Sequence, residues 1–280
     1  MDIYEIILLL FFSYLLIAFI VYRIQEKFIF KPERLPQDFQ YNYKQPFEEL
    51  FYEMEDGGRI NGLRFPVKDS KGLVIYFHGN SRSIKGWAKY ATDFTQHGFD
   101  VVMIDYRGFG KSIGERNERT LKSDAQIVYQ RLCQEYTEDQ IIIYGRSMGS
   151  GFAAKTASVN HPRMLILDAP YYSFSRLTNR YLPFLPVPWI LRYHIRTNTF
   201  IKYVRCPIRI IHGTKDWLIP VQSSKDLAAI MPEQSILYQI EGGGHNNLPS
   251  FPEYYNILHT ILTDALRLPY EKEFHRPELF

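Results

Sequence analysis

The sequence predicts an α/β fold with a mostly parallel central sheet covered by helices on both faces. Three observations carry the prediction. Short apolar, β-branched runs recur at Leu73–Phe77, Asp100–Ile104, Ile141–Tyr144, Met164–Leu167, Arg209–His212 and Ile236–Ile240. Helix-like stretches separate them, at Ile84–Gln96, Leu121–Glu135, Gly149–Ser158, Gln222–Met231 and Glu253–Leu266. Strands that alternate with helices pair in parallel and are covered on both sides. The residues able to do chemistry also gather just after the strands: His78, Asp105, Ser147, Asp168, Asp216 and His245. The carboxyl ends of parallel strands are where such sheets place their sites.

The chain opens with a different element. From Ile6 to Tyr22 it reads IILLLFFSYLLIAFIVY, without charge or proline. With Ile3 and Tyr4 it approaches the length of about 20 residues that spans a bilayer. Asp2 and Glu5 replace the basic start of a secretory signal, and no small-residue cleavage site follows. An uncleaved membrane anchor over residues 3–23 is therefore expected. Arg23, Lys27, Lys31 and Arg34 follow the span while only acidic side chains precede it, which places the remainder on the cytoplasmic side. Residues 24–47, with Pro32, Pro36 and Pro46, read as a membrane-proximal linker. Leu50–Val67, turning at Asp56-Gly57-Gly58, reads as an antiparallel hairpin that opens a domain over residues 48–268. Residues 269–280 read as a tail.

Composition narrows the function classes. The chain has 280 residues, 46% hydrophobic and 22% charged, with a net charge of +3. That supports one large core and offers no basic cluster for nucleic acid. Cys133 and Cys206 are far apart and lack metal-ligand spacing, so neither a disulfide framework nor a metal site is expected. Gly110-Lys111-Ser112 resembles the end of a phosphate-binding loop, but Asp105 stands where that loop needs glycine. No nucleotide, metal or other cofactor is expected.

The most specific motif is Gly145-Arg146-Ser147-Met148-Gly149, which follows an apolar strand and leads into small residues. G-x-S-x-G in a strand–turn–helix setting holds a serine on a strained turn with its hydroxyl exposed. Ser147 is thus a candidate nucleophile. A serine hydroxyl needs a base, and the base needs an acid to hold its tautomer. Glu241-Gly242-Gly243-Gly244-His245 leaves the last strand as a glycine-rich loop that offers His245 as the base. Asp216, in the loop after His212-Gly213, is the first candidate acid, and Asp168 is its rival. An oxyanion hole needs two backbone N–H groups. Met148, after the nucleophile, and Asn80, in the loop His78-Gly79-Asn80-Ser81, are nominated, with His78 given a structural role.

Serine, acid and histidine in this order resemble the alpha/beta-hydrolase superfamily. HGNS at 78–81, DYRGFGKS at 105–112, GRSMGS at 145–150 and HGTKDWLIP at 212–220 carry the resemblance, with GGGH closing the set. It covers residues about 50–266 and looks most like the single-pass, membrane-anchored branch with lysophospholipid and monoacylglycerol lipases and protein depalmitoylases. The resemblance implies an alpha/beta-hydrolase fold and cofactor-free hydrolysis of a carboxylic ester or thioester. In such a fold the aromatic, proline-stiffened insertion at 170–205 is a lid. Tyr171, Tyr172, Phe184 and Trp189 are its expected substrate-side residues, and Arg176, Arg180, Arg192 and Arg196 are interspersed among them. Beside a membrane anchor, such a lid favours an apolar acyl or lipid substrate. The same triad also cleaves amides, so a peptidase or amidase stays open, as does a non-catalytic membrane scaffold.

Overall fold

The computed structural model describes residues 2–270; residues 271–280 of the expected tail lie outside the described residues. A helix, α1 (Ile3–Ile29), comes first, capped by Asp2, whose side chain accepts from the Glu5 N–H. Its mean hydropathy of 2.5 and its length suit it to crossing a membrane. The helix runs on past the expected boundary at residue 23, because Gln25 and Glu26 find partners on the folded domain.

An eight-stranded sheet follows: β1 (Glu48–Glu53), β2 (Arg59–Phe65), β3 (Leu73–Phe77), β4 (Asp100–Ile104), β5 (Ile141–Arg146), β6 (Met164–Asp168), β7 (Ile208–Gly213) and β8 (Ser235–Ile240). Its spatial order is β8-β7-β6-β5-β3-β4-β2-β1. β1 and β2 form the expected antiparallel hairpin, β2 also runs antiparallel to β4, and the other neighbours are parallel. The order reverses at β3 and β5, which sets the loops after those strands side by side at a crevice.

The central strands are buried on both faces, and their alternation divides the core in two. Leu73, Ile75 and Phe77 point toward α2 (Glu118–Leu132) and α3 (Gly149–Ala157), where Val128 and Phe152 are buried. The 170–205 insertion lies on the same side, with α4 (Phe174–Tyr181) and α5 (Val187–Ile190), and so does α6 (Gln222–Ala228). Val74 and Tyr76 point the other way, onto Phe94 and the α7 (Pro252–Arg267) residues Leu258 and Ile261. The helix expected over 84–96 is a continuous helical run over 84–95 that tightens to 3₁₀ geometry at Ala88–Ala91.

Residues 24–47 are not the loose linker expected from composition. After α1 ends, Lys31–Pro32 pairs in parallel with Ser81–Arg82, and Arg34 bridges to Gly110. Tyr41 is buried and donates to Asn61 Oδ1 at 2.8 Å. Tyr43 and Phe47 pack on Phe65. Prolines ended helix and strand patterns here without preventing aromatic side chains from docking.

Candidate active site

The site is built from four strand ends. β5 delivers Ser147, whose φ of 51° lies in the left-handed region, costly for a residue with a Cβ. Its N–H donates to Asp168 O at 2.8 Å and its carbonyl accepts from Ser150 Oγ at 2.6 Å. Glycine is required beside it: a Cβ on Gly149 would collide with the Phe77 backbone, and one on Gly145 with Ala153 and the Gly149 carbonyl. The start of α3 therefore sits directly on the end of β3, with the serine at the crevice.

β8 and its glycine-rich loop deliver His245. The Nδ1–H donates to Asp216 Oδ2 at 2.7 Å, and Nε2 lies 2.9 Å from Ser147 Oγ, where it accepts the hydroxyl hydrogen. Asp216 comes from the loop after β7. Its Oδ1 accepts from the Leu218 and Ile219 N–H groups at 2.9 and 2.8 Å. Burial alone would raise its pKa, but His212, His245 and the Ile219 N–H outweigh it and hold the carboxyl well below the usual range. The rival, Asp168, does not reach the imidazole. It is fully buried, accepting from Tyr144 Oη at 2.5 Å with Arg146 Nε at 3.8 Å.

Two neighbours escaped the sequence reading. His212 Nε2 lies 3.2 Å from Asp216 Oδ2 and donates to Ile219 O at 2.8 Å, while Nδ1 accepts from Ser224 Oγ at 2.6 Å. It braces the acid loop from beneath. Arg146 is buried, reaches the His245 carbonyl at 3.4 Å and lies over Trp87 and Tyr90. Its position inside the serine motif was the available signal.

Asp93, also buried, lies in the field of Arg146, and burial pushes its pKa up to about 6. The folded state thus holds this proton from the unfolded value of 3.8 up to about 6. Stability falls as pH rises through that window, by on the order of 3 kcal/mol in total. Asp93→Asn removes the titration. Urea unfolding should show the variant gaining on wild type by that amount between pH 4 and 7.5, and parallel pH profiles would refute the assignment.

The nominated amides flank the serine. Asn80 sits in the loop after β3, and neither its N–H nor that of Met148 donates to a backbone acceptor outside regular elements among the described residues. His78 is fully buried against Asp105 and accepts no role at the surface. Tyr106 Oη donates to the His78 carbonyl at 2.8 Å, which helps set the loop's shape.

Ser147, Met148 and Asn80 line a cavity of about 550 Å³ whose other walls are almost wholly apolar. Of the four expected substrate-side aromatics, Tyr171 lines it. Tyr172 lines a smaller neighbouring pocket. Phe184 and Trp189 are each 88% exposed and do not line the cavity. Arg176 and Arg192 are paired within the chain, to Asp226 at 2.6 Å and Glu26 at 3.0 Å. No group of acidic, histidine and cysteine side chains fit for a metal occurs among the described residues.

The sequence profile of the family described as serine aminopeptidase, S33 (Hydrolase_4) matches residues 68–197, the stretch that carries the loop after β3, the serine turn and most of the 170–205 insertion. An esterase of Pyrococcus furiosus superposes with a TM-score of 0.68 at 19% identity, covering 84% of this chain and 99% of that one. The chain has the alpha/beta-hydrolase fold. By class it is a serine hydrolase. An uncharacterized protein of Mycobacterium tuberculosis is 28% identical to the hydrolase over 78% of this chain and 77% of its own length. The lysophosphatidylserine lipase ABHD12 of Danio rerio is 27% identical over 72% of this chain and 60% of its own.

Proposed function

We propose that this hydrolase cleaves the carboxylic ester or thioester of an apolar acyl substrate through a Ser147–His245–Asp216 triad. The observation that carries the reading is the unbroken hydrogen-bonded series from Asp216 through His245 to Ser147 at the wall of an apolar cavity. His245 Nε2 takes the Ser147 proton as Oγ attacks the carbonyl, and the ionised Asp216 stabilises the imidazolium. The Asn80 and Met148 N–H groups receive the oxyanion. Collapse of the tetrahedral intermediate expels the alcohol or thiol, protonated by His245. Water, activated by the same Nε2, then releases the acid. The lipase among the relatives supports a lipid ester.

The aminopeptidase description of the matching family favours a second reading, amide cleavage at a peptide N-terminus. That activity needs an acidic side chain to hold the α-ammonium, and none lines the cavity among the described residues. α1 is read as a membrane anchor, with the domain on the cytoplasmic side because of the basic residues that follow it. A fluorophosphonate probe should label the protein in membranes and fail to label Ser147→Ala. A folded wild type that resists the probe would refute the triad.

A further inference from the structure

We propose that the last turns of α1 form a wall of the acyl-binding site, and that the site takes the single long acyl chain of an amphiphile drawn sideways from the bilayer. The proposal deepens the ester-hydrolase reading of Ser147 and rests on it.

Ile24, Phe28 and Ile29 of α1 line the cavity that Ser147 lines, facing the lid residues Leu177 and Ile190 and also Leu218. The end of α1 is fixed there by polar contacts that a simple tether would not need. The buried Gln25 donates to Ile190 O at 2.9 Å and accepts from the Arg192 N–H at 2.8 Å. Glu26 accepts from Tyr193 Oη at 2.9 Å and pairs with Arg192. Asn80, the proposed oxyanion donor, gives its side-chain N–H to Ile29 O at 2.9 Å. One helix thus touches the lid and the oxyanion loop together.

Depth and surface chemistry say what enters. At 1.5 Å per residue, about 20 residues cross the hydrocarbon of a bilayer. Counted from Ile3, that length is used up at Tyr22, so Ile24 and Phe28 lie just past the hydrocarbon edge, beside Arg23 and Lys27. Large exposed aromatics adjoin the lining residues in the chain: Phe28, itself lining, is 68% exposed, Trp217, next to Leu218, 76%, and Trp189, next to Ile190, 88%. Large aromatic side chains left in water in this number mark a surface that meets lipid at the interface. The cavity, at about 550 Å³, is of the size that holds one ligand of long-chain ester dimensions.

The test uses the full chain in phosphatidylcholine vesicles. Ser147→Ala protein is irradiated with a long-chain lysophosphatidylcholine that carries a diazirine at the chain end. Cross-links are expected at Leu177 or Leu218 together with Ile24 or Phe28, and at least a fivefold loss of them in the Ile24→Trp form. Cross-links confined to residues 3–20, as bulk lipid gives, would overturn the proposal. In the catalytically intact chain, Ile24→Trp should shift the preferred acyl length of lysolipid or monoacylglycerol esters downward. Leu15→Trp, on the opposite face of α1, should leave the preference at the wild-type length. Identical profiles for the two variants would remove α1 from the site. Absence of Ser147-dependent turnover at every chain length would instead refute the ester reading, and the cross-linking would still decide who occupies the cavity.

Discussion

Ser147→Ala and His245→Ala are each expected to lower kcat/KM for an acyl ester by about 10⁶-fold, and the double variant by little more, since nucleophile and base act as a unit. Asp216→Asn should cost about 10⁴-fold. The smaller figure follows from geometry. An amide at position 216 can present its N–H₂ to Nδ1, which favours the tautomer with the proton on Nε2, where it cannot take the Ser147 proton. Thermal unfolding should change less for Ser147→Ala than for Asp216→Asn, because Oδ1 of Asp216 also organises residues 218–219 and Oδ2 faces His212. Purified protein in detergent, assayed with a chromogenic ester, measures all of this. A Ser147→Ala variant that keeps more than about 1% of activity would exclude the proposed nucleophile, since a true one leaves far less.

Arg107→Met is expected to destabilise the hydrolase by about 3–5 kcal/mol, the usual result of stranding one member of a buried ion pair. Arg107 is 2% exposed. Its Nε and one terminal nitrogen donate to the two oxygens of buried Asp124 at 2.7 Å each, and its fork also holds Asp56 at 2.6 Å. Asp56 is half-exposed and will rehydrate; Asp124, on α2, cannot. Burial already pushes the Asp124 pKa up with the guanidinium in place. Without it the carboxyl takes a proton more readily still, so the loss should shrink toward pH 4. The double variant Arg107→Met with Asp124→Leu should recover much of the loss. Urea unfolding at pH 7.5 and pH 4 reads both effects, and a loss under about 1 kcal/mol for Arg107→Met would show that the pair does not hold α2 to the sheet.

The α/β class, six of the eight strand positions within a residue or two and the hairpin that supplies the other two were legible in the sequence because each is encoded locally. Runs such as Leu73–Phe77 can be buried only as a strand, and Asp56-Gly57-Gly58 turns in place. Ser147 was legible for the same reason, since its strained turn demands glycines two residues away on either side. The helix expected over 84–96 is present with a 3₁₀ turn in its middle, and from it Trp87 and Phe94 pack against Tyr76 and Tyr144.

By itself the sequence determined which residues have the chemistry: a serine on a strained turn, a histidine after the last strand, an aspartate after β7 and an apolar N-terminal helix. Only the tertiary structure decided their partnerships. Asp216 rather than Asp168 meets His245, because β7 ends beside the β8 loop while Asp168 is turned down onto Tyr144 and Arg146. The same holds for α1. Its apolar run announces a membrane, but nothing local tells that Gln25 and Glu26 dock on the lid and that Ile24 and Phe28 line the cavity of Ser147. Local patterns set conformation and solvent preference. Which distant surfaces meet is set by chain topology and by where buried polar groups find partners.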